Sequence, residues 1–146
     1  MNIQELRKSA QDKYEERMRK KKEYETQRER DFLIELQSAV NLFKKEITER
    51  IWKELEECAL KGYLEKKIKF GDFREKVGPV RISTLVKGFH IKNTWDASIF
   101  EKLGMTGTPF QNVCEMFHKL GVSVTDVSDI TKSTGFWIHI AFFDNE

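Results

Sequence analysis

Glycine and proline are both missing from Asp31 to Lys61, so nothing in that stretch interrupts a helix. Cysteine is scarce. Cys58 and Cys114 lie far apart, inside helical patterns and without paired spacing, which argues against a disulfide framework and fits reduced, buried thiols. No run approaches the roughly eighteen apolar residues of a membrane span, and the opening Met-Asn-Ile-Gln-Glu has neither the basic start nor the apolar run of a secretory signal. A soluble, cytoplasmic protein with no membrane partner is the expectation. Neither sign of charge dominates, with 26 Lys and Arg against 24 Asp and Glu. A net charge of +2 fits neither a wholesale polyanion binder nor an acidic mimic of nucleic acid.

The charge is unevenly placed. Residues 1–30 carry 10 basic and 7 acidic side chains, 31–65 carry 5 and 8, 66–92 carry 8 and 2, and 93–146 carry 3 and 7. The electropositive part of the chain is therefore its middle.

Within Asp31 to Lys61, Leu33, Leu36, Val40, Phe43, Ile47, Ile51, Leu55 and Ala59 recur at steps of three or four. That spacing predicts an amphipathic helix of about thirty residues whose apolar stripe needs a cover. Residues 2–30 are rich in Glu, Lys, Arg and Gln, with a thin apolar stripe of Ile3, Leu6, Ala10, Tyr14, Met18 and Tyr24. They read as a charged helical extension, with Glu15 to Arg19 and Glu16 to Lys20 in the favourable order. Continued unbroken, the two segments would span about sixty residues, or roughly 90 Å. Such an arm is a solvated helix, a self-pairing helix that makes a homodimer, or a segment that meets a partner.

After Gly62, Lys66-Lys67-Ile68-Lys69-Phe70 alternates as a strand, with Ile68 and Phe70 read as inward, the lysines as outward, and Gly71-Asp72 as the turn. Val80 to Lys92 fits either a strand or a helix started by Pro79 and ended by Gly88; the strand, with Gly88 at a bulge, is preferred. Trp95 to Leu103 reads as a short helix closed by Gly104. Thr108-Pro109 starts another, whose face of Phe110, Val113, Cys114, Phe117 and Leu120 ends at Gly121. Val122 and Val124, with Val127 beyond them, suggest a strand, and Lys132 to Gly135 a turn. Phe136 to Phe143 is the strongest strand, carrying Phe136, Ile138, Ile140 and Phe142 on one face and Trp137, His139, Ala141 and Phe143 on the other. Without a βαβ rhythm or a repeat, the chain predicts an α+β fold. Residues 31–146 form one domain, in which a small, mostly antiparallel sheet packs on the long helix and the 109–120 helix.

The run Ile47 to Gly62 leading into a strand, the helix ending Phe117-His118-Lys119-Leu120-Gly121-Val122-Ser123-Val124, and the closing Phe136-Trp137-Ile138-His139-Ile140 resemble a pattern in small phage and prophage proteins of unassigned role. The resemblance spans roughly residues 45 to 143. It implies a mobile-element origin, hence a host-cell cytoplasmic setting, and assigns no catalytic residue.

Cys114 and His118 stand at i,i+4 and could take a metal with Cys58, His90 or His139, but Cys114 lies on an apolar face and no close ligand pair occurs elsewhere. Glu115-x-x-His118 is single, whereas a di-iron bundle needs two. Gly104 to Pro109 lacks the Lys and the spacing of a phosphate loop, and no Gly-x-Ser-x-Gly turn exists. No enzyme, metal or cofactor is expected. The strongest functional signal is the basic segment Lys66, Lys67, Lys69, Arg74, Lys76, Arg81, Lys87 and Lys92, interleaved with aromatics including Trp95. Cations on a sheet face beside aromatics track phosphates and stack bases. The competing reading has the aromatics in the core and the lysines guarding an edge strand. Arg17, Lys20 and Lys21 offer a second basic contact. The leading expectation is a small non-enzymatic interaction protein that binds and modulates a host protein or protein–nucleic acid complex, with an anti-CRISPR-type inhibitor as one form. The alternatives are direct binding of RNA or DNA through residues 66–92, and a coiled-coil-mediated structural or virion component.

Overall fold

The computed structural model describes residues 2–88 and 98–143, the side chain of Ser98 excepted. The first helix, α1, continues unbroken from Ile3 to Lys61. Asn2 caps it: its side-chain oxygen accepts from the Glu5 amide at 2.8 Å, and Glu5 answers by accepting from the Asn2 amide. The chain divides into two compact units, Met1–Ile34 and Glu35–Glu146.

In the first unit every residue from Asn2 to Asp31 is exposed. What supports helix there is local. Glu16 pairs with Lys20 at 3.4 Å, Gln11 bonds Glu15, Gln27 bonds Asp31, and the Arg17 and Arg28 guanidinium groups lie over the Tyr14 and Tyr24 rings. Each such contact adds only ~0.2–0.5 kcal/mol to strong intrinsic propensity.

The second unit contains the sheet. Strand β1 (Glu65–Asp72) pairs antiparallel with β5 (Gly135–Phe142), which pairs antiparallel with β4 (Val122–Asp126), so the order is β1-β5-β4. This is the α+β arrangement, a small antiparallel sheet packed on helices. Its inner face carries Ile68 from β1, Phe136, Ile138 and Ile140 from β5, and Val122 and Val124 from β4, all buried. Against them α1 supplies Leu36, Ala39, Val40, Phe43, Ile47, Ile51, Leu55 and Cys58, and α4 (Pro109–Lys119) supplies Phe110, Val113 and Phe117. Phe136 is the hub: the rings of Phe70, Phe73 and Phe110 lie 5.2–6.0 Å from its own, and Phe70 meets Phe43 edge-on.

Several expectations are corrected. Ala59 is exposed, and Cys58 and Glu54 take the inward positions of the last turns of α1, because 3.6 residues per turn carries a strict four-residue step off the buried stripe. Gly71 and Asp72 stay in the ladder opposite Phe136 and Gly135, with Phe70 bulged out of register, and the turn falls at Phe73-Arg74. The preferred strand from Val80 shrinks to β3 (Val80–Arg81), paired with β2 (Lys76–Val77) across Gly78-Pro79; then comes a helix, α2 (Ile82–Lys87). The helical spacing of Ile82, Leu85 and Val86 prevails because Gly88 adopts φ +80° and closes the helix by donating to the Thr84 carbonyl. Phe89 to Lys92 lie outside the described residues. The short helix before Gly104 is α3 (Ser98–Glu101), and Trp95 lies outside the described residues. Leu120 is exposed past the end of α4, and Val127 lies beyond β4.

The start of α4 is as expected. Thr108 and Gln111 form a capping box with Pro109 at the first position. The Thr108 hydroxyl also donates to the Val86 carbonyl at 3.2 Å, tying α4 to α2. Because Phe136 has no exposed surface and three rings pack on it, Phe136→Ala is expected to cost ~3–5 kcal/mol in urea unfolding. A loss below 1 kcal/mol would show that the cluster closes over the gap.

Candidate binding surface

The period of two that buries Phe136, Ile138 and Ile140 turns Trp137, His139 and Ala141 to the opposite face of β5. On β1 the same rule puts Lys66 with Ile68, and Lys67 and Lys69 on the outer face. On β4 it turns Ser123 and Thr125 outward. The register aligns them: Lys69 opposite Trp137, and Lys67 opposite His139, which lies opposite Thr125 on its other side. Lys67, Lys69 and Thr125 are exposed, whereas Trp137, His139 and Ser123 are half-buried.

Trp137 is held in place from several directions. A Cβ on Gly135 would lie 3.1 Å from the indole nitrogen and 3.1 Å from the Lys69 Cε, so the indole reaches back across the bare glycine backbone. The Trp137 amide donates to the Ser128 hydroxyl at 2.9 Å, and its carbonyl accepts from the Val127 amide. The Lys67 ammonium lies 5.3 Å from the ring centroid, a cation over an electron-rich face. His139 has Glu65 beside it, Nε2 to carboxylate 3.5 Å.

The basic residues singled out in the sequence are dispersed rather than joined in one patch. Lys67 and Lys69 come together with Trp137. Lys66, expected to point outward, instead turns toward α1 and bonds Glu54 and Glu57. The error was one of parity, since residue 66 shares a face with residues 68 and 70. The Lys66 ammonium holds the carboxyl of buried Glu54 below its ordinary value against the opposing effect of burial, with help from Arg50. Glu54 in turn raises Lys66. Arg74 is engaged by Asp72 through its amide and guanidinium, and Asp72 also accepts from the Thr134 hydroxyl at 2.6 Å; these bonds hold the Asp72 carboxyl well below the carboxylate range. Lys76 and Arg81 face each other in the β2–β3 hairpin, and the Lys87 ammonium lies 4.9 Å from the Phe73 ring centroid. Lys92 and Trp95 lie outside the described residues. In the first unit, Arg17 covers Tyr14, Lys20 pairs with Glu16, and Lys21 is exposed.

Trp137 and His139 were not among the residues the sequence singled out for binding. The signal was present in the two-faced pattern of β5, which allowed for a second covered surface. Cys58 is buried, and Cys114 is half-buried, where burial pushes its thiol up to about 12. Among the described residues no three of His, Cys, Asp and Glu stand together as metal ligands, and no helix is long and apolar enough to cross a membrane. Comparison with protein-family models, with curated proteins and with solved structures finds no match to this chain.

The Glu54–Lys66 pair has a pH signature. A carboxylate whose native pKa is depressed contributes stability above its unfolded value, near 4.5, and loses it as pH falls through the lower native value. The native protein should therefore lose more stability than Glu54→Gln as pH drops below about 4.5, read by urea unfolding. Parallel pH profiles would show that the pair adds nothing.

Proposed function

We propose that this is a non-enzymatic interaction protein that binds a protein–nucleic acid partner through the outer face of its three-stranded sheet. One observation carries the reading: Trp137, fixed across Gly135, stands beside the exposed Lys67 and Lys69. A large aromatic packed against bare glycine backbone gives contact area, and cations beside it favour an anionic partner. The role that suits so small a binding domain is modulation or inhibition of a host machine in the cytoplasm, as by a phage or mobile-element protein; an anti-CRISPR-type inhibitor is a concrete form. The resemblance in the sequence pattern supports that origin.

The test is affinity capture from bacterial lysate by the native protein, by Trp137→Ala and by Lys67→Glu with Lys69→Glu. Partner recovery should fall at least tenfold in both variants and stay unchanged in Lys76→Glu. Equal recovery in all of them would remove the sheet face from the proposal.

A second reading rests on the first unit. Ile3, Leu6, Tyr14, Met18 and Tyr24 are exposed along α1, Ile3 at 79% and Tyr24 at 64%. Self-pairing would cover them and make the protein a coiled-coil-type assembly component. Sedimentation at rising concentration should then show a dimer that Leu6→Lys with Met18→Lys converts to monomer. A native monomer at high concentration would discard this reading.

A further inference from the structure

We infer that the outer sheet face binds single-stranded nucleic acid, with a base stacked on Trp137 and phosphates at Lys67 and Lys69. This rests on the sheet face being the binding surface and names what that surface takes. The three strands divide the chemistry between them. The central strand carries the rings, Trp137 and then His139, two residues apart and hence about 7 Å along the strand. The neighbour on one side, about 4.8 Å away, carries the cations Lys67 and Lys69. The neighbour on the other side carries the hydroxyls Ser123 and Thr125. A single strand laid along β5 therefore meets π-faces beneath its bases, positive charge along one flank, and hydrogen-bonding hydroxyls along the other.

The ring face is already in use by a cation. Lys67 sits over the indole, so a base and a phosphate arriving together replace that contact: the base takes the ring face and the ammonium moves to the phosphate. A duplex offers no such exchange, because its base faces are stacked inside. A protein partner is less well matched, since the indole is surrounded by Lys67, Lys69, Ser123 and Thr125 rather than by the apolar residues of a dry interface centre.

The acidic groups around the face set its limits. Glu65 lies on the same face at the start of β1 and touches His139, so it repels phosphate there and confines the charged contacts to the Lys67–Lys69 end. Beyond β4, Asp126 and Asp129 are bonded to the amides of Ser128 and Thr131, and Asp129 also pairs with Lys132. The site is accordingly short, with two phosphate contacts. At about 0.7 per phosphate on a single strand, log K should fall against log salt with a slope of about −1.4.

The experiment is fluorescence anisotropy with the full chain and labelled eight-nucleotide oligouridylate, oligothymidylate and a blunt duplex. The single strands are expected to bind with the shallow slope given above, and the duplex at least tenfold more weakly. Trp137→Ala should weaken single-strand binding about tenfold or more, Trp137→Phe should recover most of it, and Lys67→Glu with Lys69→Glu should abolish it. Each variant is checked for an unchanged thermal transition. In Arg17→Glu with Lys20→Glu and Lys21→Glu, the loss on adding Trp137→Ala should persist, which keeps the helix out of the account. Preference for the ribose strand over the deoxyribose strand would assign the Ser123 and Thr125 hydroxyls to the 2′-OH. Equal binding of duplex and single strand, or indifference to Trp137→Ala, overturns the inference. If oligonucleotides fail to bind while lysate capture still depends on Trp137, the face is a protein-docking surface and only this inference falls. If neither depends on Trp137, both readings fall.

Discussion

The structure depends on the burial of Phe136 between strand and helices. Its ring is closed in by Phe70 and Phe73 from the β1 side and by Phe110 from α4, and Phe70 passes the contact on to Phe43 of α1. Once that ring is committed inward, strand geometry leaves no freedom: Ile138 and Ile140 follow it in, and Trp137 and His139 must face out. The outer face of the sheet is thus a by-product of the core, fixed by the same ladder. The bare backbone at Gly135 leaves room for the Trp137 indole to lie across it, beneath the Lys67 ammonium.

The same parity sorts the lysines. Three of them fall within four residues of β1, yet they serve opposite ends. Lys66 goes inward and is consumed by Glu54 and Glu57, while Lys67 and Lys69 go outward, beside the indole. Net charge along the sequence therefore overstates the charge the outer face of the sheet presents. Arg74 and Lys87 illustrate the same discount, one engaged by Asp72 and the other over Phe73. What the surface retains is a narrow pair of cations.

Much of this was readable from the chain alone. The uninterrupted helix, the capping box at Thr108, the helix–glycine–strand passage into Val122 and the two-faced β5 all follow from strong local signals that agree with the tertiary structure. The Val80–Gly88 stretch was less legible because six residues hold barely more than a turn and a half, too short for either period to show. Lys66 was misplaced although its parity was in plain view, since runs of lysine read as solvent-facing unless a buried carboxylate is known to wait opposite. The gathering of Lys67, Lys69 and Trp137 needed the β1–β5 register, and residues about seventy apart in sequence announce no such pairing locally.

The double duty of one hydroxyl narrows what evolution can do at residue 108. The Thr108 oxygen accepts from the Gln111 amide while its proton goes to the Val86 carbonyl. Aspartate and asparagine cap helices as well as threonine does, but an ionised aspartate has no proton to give, and an amide offers its donor from a different atom in a different direction. In divergent copies of this chain that keep the α2–α4 junction, position 108 should therefore alternate only between threonine and serine, a narrower alphabet than helix capping alone imposes. That restriction is a fingerprint by which distant relatives can be sifted even where the outer face of the sheet has diverged.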